Sequence, residues 1–128
     1  MNIPLVIANL LCLLAFGAHT FTGDKEIRSL EPEETEGDKR QFWTQARAGW
    51  HMVSFDLLFA TITLSLINFS DWIKDETFLL QILTIYFIGY GVFWLMGLLI
   101  SKSFPKNYLK LGQWALLWGI AALVWWGI

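Results

Sequence analysis

The chain has a single cysteine, Cys12, and only two histidines, His19 and His51, in 128 residues. One thiol excludes an intramolecular disulfide and any cysteine-based zinc cluster. Charge is sparse too: charged residues make up 16% and the net charge is −2, so nothing points to nucleic acid or to an acidic partner. Catalytic signatures are missing as well, with no Ser-x-x-Lys, no nucleophile elbow and no His-Glu-x-x-His. The N-terminal apolar stretch has neither a basic leader nor a small-x-small cleavage site. "NLLC" also lacks the small residue that a lipoprotein signal places before its cysteine. It therefore reads as a retained helix, with Pro4 in its first turn.

What the chain does have is apolar mass. Hydrophobic residues make up 55% and there are eight tryptophans, whose amphipathic rings suit membrane–water interfaces. Four apolar spans stand out, at about 3–20, 48–70, 77–100 and 107–128. Each is near the roughly 20 residues a helix needs to cross a hydrocarbon core about 30 Å thick. Short links at "SDWIKDE" and "SKSFPKN" make spans 2–3 and 3–4 antiparallel neighbours. No internal repeat is present. The expectation is one domain: an all-α membrane protein, an antiparallel bundle of four transmembrane helices.

Segment 21–47 is the one long polar stretch. "EPEETEGDKR" is acidic and without apolar period, as a solvated loop is. "QFWTQARAGW" mixes aromatic and basic residues, as a helical lead-in at headgroup level does. Orientation follows from the cations. Lys25, Arg28, Lys39, Arg40, Arg47, Lys102, Lys106 and Lys110 fall on one side of the predicted membrane, Lys74 alone on the other. Loops 21–47 and 101–107 are thus predicted cytoplasmic and both termini outside, in a bacterial inner membrane. Ala115 and Gly119 form a small-xxx-small pair, suited to close helix contact within or between subunits.

The polar residues near or within the spans carry the functional question. His19 and His51 fall at matched depth on adjacent helices, with Asp24 and Glu26 within a short loop's reach. Two imidazoles and two carboxylates suit a divalent cation such as zinc, iron or manganese. Two imidazoles alone are also the axial pair of a b-type haem, though nothing else marks a porphyrin slot. The plainer alternative is that both histidines bond backbone or headgroups at the interface. Ser54, three residues after His51, is placed to bond it.

Asp56 lies deeper, about 12 Å into its helix. A carboxylate there costs about 2.5–3.5 kcal/mol on insertion scales and marks a function by default. Helical spacing sets it about 140° from His51, on a face shared with Gly49, Met52, Ala60 and Thr63. Tyr90 and Gln113 fall at similar depth, so a buried layer of Asp56, Tyr90 and Gln113 is predicted, with the Trp94 or Trp114 N–H groups as possible additions. Such a layer either holds the helices in register or passes a solute, ion or proton.

"HTFTGDKEI" followed by "WHMVSFDLL" resembles a pattern of small bacterial four-helix membrane proteins. In that pattern a His-x-x-x-Gly-Asp/Glu element precedes a Trp-His-x-x-Ser element, matched here by His19, Gly23, Asp24, Trp50, His51 and Ser54. The resemblance covers the first half of the chain and brings no activity with it. It implies that His19, Asp24, Glu26 and His51 form one cytoplasmic-face site, and the acidic insert between the elements departs from the pattern. The functional expectation is a binding or accessory subunit, working in the lipid bilayer as a homo-oligomer or as part of a membrane complex. A transporter or channel using Asp56 is the alternative; an intramembrane hydrolase or a b-type haem protein is the weaker one.

Overall fold

The computed structural model describes residues 1–101 and 107–128, which include part of the predicted 101–107 turn; the rest of that turn lies outside the described residues. Helix α1 spans Ile3–Gly17, followed without a break by a π-helical turn, Ala18–Gly23, and helix α2, Asp24–Arg28. Helix α3 runs from Gly37 to Phe69, α4 from Glu76 to Ile100, α5 from Asn107 to Lys110 and α6 from Gln113 to Trp126. Among the described residues there is no strand. Three helical stretches are long and apolar enough to cross a membrane: Ile3–Arg28, Gly37–Phe69 and Glu76–Ile100.

The surface agrees with that composition. Leu14, Phe55, Ile85 and Phe93 are each at least 65% exposed. Apolar area of that extent is a liability in water and ordinary in contact with lipid tails. Two buried hydroxyls are satisfied inside their own helices: Thr61 donates to the Leu57 carbonyl at 2.8 Å and Thr84 to that of Leu80 at 2.9 Å. A medium without water demands this economy of polar groups.

Two boundaries differ from the sequence expectation. The polar stretch 21–47 is mostly helical, leaving only residues 29–36 between α2 and α3. Its residues lack an apolar stripe because helix formation there rests on side-chain contacts with the facing helix, described below. The last span is also not one helix from 107 to 128. It is interrupted at Leu111 and Gly112, and α6 is 14 residues long. Gly112 is a poor helix former. The Trp94 and Trp114 indoles donate to the carbonyls of Leu111 (3.2 Å) and Tyr108 (2.9 Å) at the break.

The chain divides into two compact units, Asn9–Thr63 on one hand and Met1–Ala8 with Leu64–Ile128 on the other. In the second unit α4 and α6 pack antiparallel. Gly91 makes this possible, because a Cβ there would overlap the Trp118 indole, whose N–H donates to the Ile88 carbonyl at 3.3 Å. The two ends of the chain meet in this unit. The Asn2 side-chain amide donates to the Gly127 carbonyl at 2.7 Å, and the Asn2 backbone N–H donates to Asn68 Oδ1 at 3.1 Å. Ala115 and Gly119 are both exposed on α6, and a Cβ at Gly119 would meet nothing within 4 Å. In the first unit the later part of α1, the π turn and α2 lie antiparallel to α3, and this pairing builds the site.

Candidate functional site at the Asp24 cluster

A π turn holds one residue more than an α turn, which changes the direction in which the following side chains point. The turn Ala18–Gly23 immediately precedes Asp24 and carries the motif residues His19 and Gly23. Gly23 is needed at its position, because a Cβ there would overlap the Trp50 indole of α3. With the helices so close, the Trp50 ring stacks on the His19 imidazole at 3.9 Å between centroids and 8° between planes. The same indole donates its N–H to the His19 carbonyl at 2.9 Å. His19 Nδ1 lies 3.0 Å from Ser54 Oγ.

One turn on, Asp24 is buried, 6% exposed. Its carboxylate accepts from four nitrogens on two helices. Arg47 Nε and His51 Nε2 reach Oδ1 at 2.8 and 3.1 Å; Arg28 Nη2 and Arg47 Nη2 reach Oδ2 at 2.7 and 3.1 Å. A carboxylate oxygen only accepts, so this geometry assigns the hydrogen of His51 to Nε2. Asp24 lies past the apolar stretch of its helix. Hydrogen bonds from Arg47 and then Arg28 hold its carboxyl well below the usual carboxylate range, outweighing the opposite effect of burial. Farther out, the Trp43 indole donates to the Ile27 carbonyl at 3.1 Å and lies 5.4 Å from the Arg47 guanidinium carbon. It thereby caps a carbonyl of the last turn of α2.

The structure thus brings His19, Asp24, His51 and Ser54 into one neighbourhood. Ser54 bonds His19 on the facing helix rather than His51 on its own, as the i, i+3 spacing had suggested, because the close helix contact at Gly23 puts the His19 ring within reach. Glu26 is exposed on α2 and stands outside the hydrogen-bonded group. Among the described residues no three His, Cys, Asp or Glu side chains gather as a metal site. The donor set is also unfavourable to a cation, since two guanidinium groups already neutralise the one buried carboxylate.

The residues of the predicted deeper layer are each described within their own unit. Asp56 is half-buried on α3 in the first unit, whereas Tyr90 and Gln113 belong to the second. Tyr90 is half-buried and its hydroxyl accepts from Tyr86 at 3.2 Å. Gln113 is exposed in the first turn of α6, and the Trp94 and Trp114 N–H groups serve the carbonyls named above.

Sequence reasoning missed Arg28 and Arg47 as the partners of Asp24, and Trp43 and Trp50 as its frame. Signals were there. Asp24 and Arg28 have the i, i+4 spacing of a helical ion pair, and Arg47, Trp50, His51 and Ser54 share one helix face. Comparison with protein-family models, curated proteins and solved structures gives no match for this chain.

Proposed function

We propose that the chain is a small multi-pass protein of a bacterial inner membrane that acts as a binding or accessory subunit through the Asp24 cluster at its cytoplasmic rim. The observation that carries this reading is the buried Asp24 carboxylate, fixed by side chains of α2 and α3 at the ends of their apolar stretches. Building a charged network at that level costs more than leaving the two helices to an apolar contact, and a retained polar network is a candidate for function. The fourth pass is made by α5 and α6 together. The meeting of Asn2 with Gly127 supports both ends lying on one side, and the cation distribution supports that side being the outside.

Ligand-dependent unfolding of the detergent-purified chain tests the reading. A panel of divalent cations and small anions is expected to include at least one that raises the unfolding midpoint saturably in the wild type. That rise is expected to vanish in Asp24→Asn and His51→Ala. Variants that respond like the wild type would remove the cluster as the binding locus.

A second reading rests on Asp56, the one charged side chain in 48–70 and only half-buried. It makes the protein an oligomeric carrier of an ion or proton. Flux in proteoliposomes that is unchanged in Asp56→Asn reduces that residue to a packing role.

A further inference from the structure

Arg28 and Arg47 converge on one carboxylate oxygen, Asp24 Oδ2, from which their Nη2 atoms lie 2.7 and 3.1 Å. Two guanidinium groups are therefore held side by side by a buried anchor. Asp24 engages one N–H direction of Arg28 and two of Arg47, and a guanidinium carries five N–H donors. The side chain of Arg28 is 64% exposed, that of Arg47 28% and that of His51 45%, so the group has an open outer face. Its charge is unequal, two guanidiniums to one carboxylate. In the acidic stretch nearby, Arg40 takes Glu31 and Glu34 and Lys39 takes Glu36, while Glu31 also lies within electrostatic reach of Arg47.

We propose that this outer face binds the phosphate of an anionic membrane lipid. The inference rests on the rim-site reading and names its ligand class. Paired guanidiniums match the geometry of phosphate oxygens as ammonium groups do not. Position selects the lipid over a free ion. The cluster begins one turn past the apolar stretch of 3–20, the level at which a bilayer presents its phosphates. Trp43 and Trp50 pack within it, and the segments that carry it also bear Phe21 and Phe42, exposed at 72% and 69%. Such a belt lies at headgroup depth, and the cytoplasmic leaflet is the anionic one.

The test uses the full chain purified in a non-ionic detergent, with the unfolding midpoint read against added phosphatidylglycerol, phosphatidylcholine of the same acyl chains, and inorganic phosphate. Phosphatidylglycerol is expected to raise the midpoint saturably, with phosphatidylcholine and millimolar phosphate far less effective. Arg28→Gln removes a charge-assisted contact while leaving the paired bonds of Arg47 to Asp24. It should shift the phosphatidylglycerol titration to about tenfold higher concentration, with Arg28→Lys between the two. Lys39→Gln removes the same charge outside the cluster and should titrate like the wild type.

Phosphatidylcholine as effective as phosphatidylglycerol, or an Arg28→Gln variant with the wild-type titration, overturns the proposal. Inorganic phosphate as effective as phosphatidylglycerol overturns the lipid as source and leaves the anion chemistry. A response to zinc or manganese that needs Asp24, with none to any anion, overturns the inference but preserves the rim site. No response to any addition overturns both.

Discussion

At the scale of the residue, Asp24 and Gly23 decide the site for opposite reasons. Asp24 supplies a buried charge that four nitrogens satisfy, so each partner both holds and is held. Gly23 supplies nothing but the absence of a Cβ, which lets the Trp50 indole lie against the backbone. Gly23→Ala is expected to force the helices apart and to cost about 1–3 kcal/mol, the usual range for overpacking. The measurement is the unfolding midpoint in detergent, with loss of the Trp50–His19 stack read from tryptophan fluorescence. Ser54→Ala removes the hydroxyl beside His19 Nδ1 and should cost about 1–2 kcal/mol, because the imidazole nitrogen loses its partner in a half-buried place. Denaturation showing no loss at all would mean that water replaces Ser54 there. Histidine spacing hinted at this neighbourhood in the sequence. The arginine–carboxylate bonds did not show, because they depend on which way a helix faces after an inserted residue.

At the scale of the element, the π turn and the length of α3 matter most. Helix α3 has 33 residues, about 50 Å at the usual helical rise, against a hydrocarbon core of about 30 Å. Its first turns therefore extend beyond the apolar stretch and meet α2 there. Trp43, Arg47, Trp50, His51 and Ser54 all contact the segment 19–28. The π turn sets the facing of α2. Deleting Thr22 is expected to restore α-helical register and to turn Asp24 about 100° away from Arg47 and His51. The double-mutant coupling between Asp24→Asn and Arg47→Gln, present in the parent chain, should then fall to nothing. A coupling that survives the deletion would show that α2 reaches α3 without the π turn. Sequence periodicity underestimated these helices at their polar ends, since a tertiary ion-pair network leaves no apolar period to read.

At the scale of the whole molecule, the joined ends are the firmest guide to topology. Asn2 bonds Gly127 and Asn68, so the start of the first helical stretch meets the ends of α3 and α6. Cys12 is the chain's one thiol, and Cys12→Ser therefore gives a clean background for labelling. Cysteines placed singly at positions 2 and 127 are expected to react with an impermeant maleimide added outside sealed spheroplasts, and one at Glu34 only after lysis. Labelling of 2 and 127 from opposite sides would overturn the four-pass topology.

Composition alone determined that this is a helical protein with spans long enough for a membrane. Run length, tryptophan content and scarcity of charge are local properties and need no partner to be legible. The cations likewise support the proposed orientation without reference to the fold, because that rule counts residues and not contacts. Only the tertiary structure decided that the polar stretch is helical, that the last span breaks at Gly112, and that Asp24 belongs to Arg28, Arg47 and His51. Each of those depends on the side chains of a facing helix, and facing is fixed by packing between segments far apart in the chain.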